Sequence, residues 1–142
     1  MATKAYNPKN VAVILGGHVV EGYDDDTFVE IEYPDQGEMS VGADGEVVFS
    51  FSPDETAMVT ITLKATSASN DALDALVKAS KSTSTPISPF SMVDVNGRTV
   101  VGAVNALCVA KPTVARGRTV GSMAWRFALD NITDFLGGNS RV

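Results

Sequence analysis

The chain holds one cysteine, Cys108, and one histidine, His18. A lone thiol excludes a disulfide within the chain and any cysteine-based metal site built by one copy, and it agrees with a reducing compartment. A Ser-His-Asp or Cys-His arrangement would have to use His18, yet no nucleophile or base motif flanks either residue. Long apolar runs are missing too. Residues 11–15 and 106–110 are the longest, far short of the ~20 residues of a membrane helix. The first eight residues have no apolar stretch and no cleavage site. No signal peptide is expected, so the protein is expected to stay in a cytoplasm or to leave by lysis. Basic residues number 11 against 17 acidic ones, for a net charge of −6. Nucleic-acid binding by counterion release needs clustered Lys and Arg. An acidic chain instead gains solubility and repels DNA passing close by.

What is present is a core and an alternating pattern. With 142 residues, 44% of them hydrophobic, the chain fits one domain that buries its own core. Residues 11–15 are apolar on both faces and read as a strand covered on two sides. Gly16-Gly17 suggests a bulge, with His18, Val19 and Val20 continuing the strand. Residues 27–33 put Val29, Ile31 and Tyr33 on one face and Phe28, Glu30 and Glu32 on a wet one. Asp44-Gly45 marks a hairpin turn, and the returning strand carries Val47, Phe49 and Phe51 on one face. This hairpin spans about residues 39–56 and is rich in Val and Phe for a surface arm. Residues 58–64 alternate again, with Val59, Ile61 and Leu63 together.

A helix is expected over about residues 70–81. Ser69 or Asn70 can cap it, Asp71 and Asp74 suit its start, and Leu73, Leu76 and Val77 form its apolar stripe. Asn96-Gly97 marks a second hairpin. Its return strand is read as one piece over residues 98–110, with Val101, Leu107 and Val109 opposite Val100, Val104, Ala106 and Cys108. In the last strand, over residues 119–129, Met123, Trp125, Phe127 and Leu129 share a face and anchor the core. Residues 130–142 are expected to trail off, so that about 131–142 form a flexible tail. Seven or eight strands and one helix, without alternation of the two, predict a mainly β fold: an antiparallel sandwich or barrel with one flanking helix.

Chemical motifs are sparse, and neither an active site, a metal site nor a cofactor is expected. Cys108 alternates inside an apolar strand and reads as a small hydrophobe. Asp24, Asp25 and Asp26 lack the glycine and the downstream Glu of an EF-hand loop and read as a solvated acidic loop. Glu30 and Glu32 read as a wet sheet face rather than as a paired-carboxylate site. Gly16-Gly17 lacks the Lys-Ser/Thr pair of a phosphate loop. Arg116 and Arg118, with Lys111 before them, form the one basic patch. It is either a solvated loop or a contact for an acidic neighbour such as the Asp24–Asp26 loop of another copy. Small apolar residues on the second sheet face, Ala124 and Ala128 around Arg126 with Val100, Val104 and Ala106 expected across from it, imply another sheet or subunit there.

Several segments resemble the tail tube subunits of contractile-tailed phages. They are Tyr6-Asn7-Pro8-Lys9-Asn10-Val11, Gly16-Gly17-His18 and Gly22-Tyr23, then Gly42-Ala43-Asp44-Gly45-Glu46-Val47. The strand-to-helix junction of residues 57–73 follows, then Pro89-Phe90, Asp94-Val95-Asn96-Gly97 and Met123-Ala124-Trp125-Arg126-Phe127. The resemblance covers roughly residues 5–135 and rests on order and length. It implies a structural subunit of a fold shared with the type VI secretion tube protein. Such subunits form six-membered rings, and the rings stack into a hollow tube inside a contractile sheath. One sheet of each subunit joins a barrel around a lumen through which DNA is ejected. The implied partners are further copies, the tail sheath, the tail terminator and the baseplate; the implied location is the virion, after assembly in the host cytoplasm. On that basis Val47, Phe49, Phe51, Arg116, Arg118 and Arg126 are expected at contacts between subunits or rings. Asp24, Asp25, Asp26, Glu30 and Glu32 are expected to make the lumen acidic. The alternatives are a terminator, an initiator or a secretion-type tube subunit, or else a small β-barrel ligand-binding domain.

Overall fold

Period-two alternation dominates the sequence, and the chain folds mainly into strands. The computed structural model describes residues 6–24, 27–95 and 98–138. Its strands are β1 (Val11–Leu15), β2 (His18–Val19), β3 (Val29–Glu32), β4 (Gly37–Val41), β5 (Val47–Phe51) and β6 (Ala57–Lys64). The helix α1 (Ser69–Thr83) follows, then β7 (Phe90–Asp94), β8 (Thr99–Ala103), β9 (Asn105–Ala110), β10 (Ser122–Asp130) and β11 (Thr133–Phe135). One antiparallel sheet has the order β11-β8-β7-β1-β2 and a second has the order β3-β6-β10-β9. Among the described residues β4 and β5 pair only with each other.

The two larger sheets close on a shared core. Val13, Leu15, Phe90 and Val101 from the first meet Val59, Ile61, Leu63, Phe127 and Leu129 from the second. Leu73 and Val77 of α1 are buried in the same cluster. The fold is thus an antiparallel β-sandwich with one flanking helix. Trp125, Phe127 and Leu129 all face inward on β10, as their spacing predicts.

Several expectations need correction. Gly16-Gly17 is a turn, not a bulge: both glycines hold positive φ, +58° and +87°, and β2 returns antiparallel with Leu15 opposite His18. Two adjacent positive φ values define the type I′ hairpin, which glycine adopts without strain. The return strand over residues 98–110 is two strands in different sheets. It breaks at exposed Val104, so Ala106 turns into the core while Leu107 and Val109 face out. Asp130 holds the second start, accepting from the Asn105 N–H at 2.9 Å and from its Nδ2 at 3.1 Å. The segment expected to trail off instead contributes β11, which pairs with β8. Eleven strands form among the described residues, not seven or eight. Asn96 and Gly97, the expected second turn, lie outside the described residues.

Neither Ser69 nor Asn70 caps α1; Ala68 holds that position in a helical conformation without a side-chain bond. Tertiary partners claim both side chains. Ser69 Oγ accepts the Glu21 N–H at 2.8 Å and lies 3.1 Å from His18 Nε2. Asn70 Oδ1 accepts the Trp125 indole N–H at 3.0 Å, and Nδ2 donates to the Lys64 carbonyl at 3.0 Å and the Ser67 carbonyl at 3.2 Å. Removing this amide strands buried polar groups, which costs about 1–3 kcal/mol. Asn70→Ala is expected to destabilise the monomer by about that amount in urea denaturation. A loss under ~0.5 kcal/mol means that water replaces the amide.

Candidate functional site

Cys108 and His18, the two residues with nucleophile or base chemistry, are engaged in structure. Cys108 is half-buried on β9, and burial pushes its thiol above the ordinary value. A raised thiol is less nucleophilic at neutral pH. His18 ties β2 to the start of α1 through Ser69. Among the described residues no group of three His, Cys, Asp or Glu is placed to hold a metal ion. Among them, too, no helix is long and apolar enough to cross a membrane.

The surfaces are more informative. In the β4–β5 arm every strand residue is exposed, Phe49 by 67% and Phe51 by 89%. Met39 lies opposite Phe49 and Val41 opposite Val47, so one face of the arm is apolar along its length. The turn is closed by the Gly42 N–H to the Glu46 carbonyl at 2.7 Å and the Gly45 N–H to the Gly42 carbonyl at 2.9 Å. Gly45 has φ +89°, so the turn needs a residue without Cβ there. A two-stranded hairpin alone is marginal in water, and among the described residues this one has no third strand.

The four-stranded sheet has a wet outer face. Glu30 pairs with Thr60, and Thr60 pairs with Arg126, so these three form one row across it. Glu32, Met58, Ala128 and Leu107 form the next row. Arg126 therefore shares a face with Glu30 and Glu32 and is not grouped with Arg116 and Arg118. The residues expected across from Arg126 are not there: Val100 belongs to the other sheet and Ala106 to the core, while Ala110 is the partner. Asp24 sits at the sheet's margin, its N–H bonded to the Thr62 carbonyl at 3.2 Å. Asp25 and Asp26 lie outside the described residues.

Both edges of this sheet, β3 and β9, lack a full neighbouring strand among the described residues. On β9 only Ala106 is covered, by a two-way backbone bridge to Ile87 at 2.8 and 2.7 Å. Beyond it, residues 107–111 form one wall of a groove of about 620 Å³. Val77, Ser80 and Lys81 of α1 and residues 84–86 form the other. Lys111 stands at its end, 3.7 Å from Asp74, which also pairs with Lys78 at 2.8 Å. Both lysines hold the Asp74 carboxyl below its ordinary value, Lys78 foremost. The exposed loop after Lys111 carries Arg116 and Arg118.

Sequence reasoning passed over the partition of charge. Residues 1–63 hold 12 acidic and 2 basic residues; residues 64–142 hold 5 acidic and 9 basic ones. No Lys or Arg lies between Lys9 and Lys64. Counting charge by halves of the chain reveals it. In the structure the acidic half supplies β3 and the arm, while Lys111 just after β9 and Lys81 of α1 line the groove beside the other edge.

An exposed apolar arm and a sheet open at both edges mark a protein built to be covered by other chains. The family model described as bacteriophage PhiTE tail tube protein matches residues 15–137. The chain belongs to this tail tube family. It is a structural protein of the phage tail, hence a virion component, and not an enzyme. This tail tube protein is 26% identical over 149 residues to structural protein ORF10 of Pseudomonas phage KPP10, covering 99% of the chain and 86% of that protein. Its fold is similar to a chain of the PVC sheath–tube complex in the extended state, from an extracellular contractile injection system. The TM-score there is 0.62 at 10% identity, over 92% of this chain and 91% of that one. The anti-feeding prophage tube-terminating cap gives a TM-score of 0.57 at 10% identity, over 95% and 93% of the two chains. At such identities the likeness speaks to the fold.

Proposed function

We propose that this tail tube protein assembles into six-membered rings that stack into a hollow tube, the conduit for phage DNA. The observation that carries this reading is the four-stranded sheet, open along β3 and β9 and wet on its outer face. Sheets of successive copies, joined edge to edge, make a closed barrel with no free edge and an inner wall that carries Glu30, Glu32, Thr60 and Arg126. The arm, with Val47, Phe49 and Phe51, contacts the adjacent ring. The tail sheath surrounds the tube, a terminator and the baseplate bound its ends, and assembly takes place in the host cytoplasm. Negative-stain electron microscopy of the purified, concentrated protein tests the reading. Long tubes are expected; rings that stop at one layer overturn it in favour of a terminator.

Glu30 and Glu32 face the lumen in this reading and keep phosphate from sticking, with Arg126 partly offsetting them. Asp24, at the margin of the same sheet, adds to this acidic wall. Reversing both glutamates, Glu30→Lys with Glu32→Lys, is expected to leave tubes intact but make them retain DNA. Retention should weaken steeply with salt, as phosphate contacts do. Tubes of the variant that bind DNA no better than wild-type tubes place these side chains outside the lumen.

A further inference from the structure

We propose that the outer face of the five-stranded sheet is the seat of the arm: β4 and β5 of one copy lie across that face of another copy in the adjacent ring. This deepens the tube reading, which gives the arm a neighbour but no seat, and it rests on that reading.

The strand registers define the seat. Val13, Leu15, Phe90 and Val101 point into the core, so the residues between them point out. Phe135, Val100, Val93 and Ala12 stand side by side in one row. Thr133, Gly102, Ser91, Ile14 and Val19 form the next. Neither row holds a charged residue, and Val19, Val100 and Phe135 are exposed. The uncharged second face that the sequence puts around Arg126 thus exists, but on the other sheet. An apolar sheet face of this kind is covered in a finished assembly.

The arm supplies a cover of matching chemistry. Met39, Val41, Val47, Phe49 and Phe51 share one of its faces, again without charge. Glu38, Ser40 and Ser50 lie on the other face with Val48. An arm laid apolar side down hides both uncharged faces at once and turns its more polar side outward. Lengths agree as well: β4 and β5 have five residues each, as do β1, β7 and β8. So does shape. Gly102 and Ser91 adjoin in the second row and leave a dip flanked by larger side chains. Among the described residues a Cβ on Gly102 would meet only the Thr133 carbonyl oxygen, at 3.7 Å, so the space above it is open to an aromatic ring. Phe49 and Phe51 do not fill it in their own chain, where both stay exposed. The competing cover is the sheath, because a four-stranded sheet turned to the lumen leaves this face pointing outward.

Cross-linking between two single-cysteine chains tests the seat. One chain carries Met39→Cys with Cys108→Ser. The other carries Ser91→Cys with Cys108→Ser and a tag that changes its size. Co-assembled and treated with a bis-maleimide that spans the roughly 10 Å between packed sheets, they are expected to give a tagged–untagged dimer. Its yield should be about tenfold that from Ser40→Cys, on the opposite face of the arm. Equal yields from positions 39 and 40, or none from either in well-formed tubes, overturn the seat.

Charging the seat gives a second readout. Val100→Lys places its ammonium in water in the free chain, so the unfolding midpoint should hold while tube growth falls by about tenfold or more. Where this variant unfolds, Phe135→Lys on the edge strand β11 repeats the test. Charged variants that grow tubes as wild type does overturn the seat, and if those tubes no longer take up sheath, the sheath is the cover. A wild type that stays monomeric at every concentration overturns the tube reading along with it.

Discussion

Trp125→Ala is expected to cost the monomer about 3–5 kcal/mol, the range for removing a buried aromatic from a core. Trp125 is 2% exposed on β10, opposite Ile61 of β6. Phe127 and Leu129 follow on the same face, so the indole belongs to the packed layer between the sheets. Its N–H is satisfied by Asn70, and that bond fastens the helix start to the middle of the sheet. Truncation therefore removes apolar contact, opens a cavity and leaves the Asn70 carbonyl oxygen without its donor. A domain of this kind has only about 5–15 kcal/mol in total, so the loss takes roughly a fifth of it or more. Denaturant unfolding reads the change as a fall in midpoint at constant slope. Trp125→Phe separates the two contributions: it keeps most of the volume and loses only the hydrogen bond, about 1–3 kcal/mol. A loss below ~1.5 kcal/mol for the alanine variant means that the core collapses around the gap.

Much of this fold was legible because burial on one face imposes a period of two. β6 and β10 were readable from that period alone, since Val59, Ile61, Leu63, Trp125, Phe127 and Leu129 have no polar residue among them. The arm was legible from its turn chemistry, Asp44-Gly45. Other features depend on partners far away in sequence. Asn105 interrupts the apolar residues only once, and what makes it the start of a new strand is Asp130, 25 positions later. Asn70 has a capping side chain, but Trp125 and the Lys64 carbonyl claim it first. β11 carries no alternation because all three of its residues are exposed; backbone pairing alone makes it a strand. The site was half legible for the same reason. Phe49 and Phe51 stand out locally, whereas the grouping of Arg126 with Glu30 is set by the registers of three strands.

Phe49→Asp is expected to abolish tube growth while leaving the monomer's unfolding midpoint unchanged within about 0.5 kcal/mol. The two halves of this expectation have separate causes. Phe49 is 67% exposed, on a hairpin that among the described residues pairs with no other strand and adds no residue to the core cluster. An aspartate there meets water, so the free chain barely registers the change. In the proposed tube the same position is covered by the adjacent ring. An interface aromatic of this kind contributes about 2–4 kcal/mol, and an unpaired carboxylate buried in its place adds a desolvation penalty. Each contact then weakens by at least about thirtyfold, since 1.4 kcal/mol is a factor of ten. The deficit recurs at every copy of a stacked ring, and growth stops. Phe49→Leu keeps the apolar character and should keep the tubes. Microscopy and thermal unfolding of the same sample decide the matter. A lowered midpoint for Phe49→Asp makes the arm part of the monomer's own fold, and normal tubes from a normally stable variant remove it from the contact between rings.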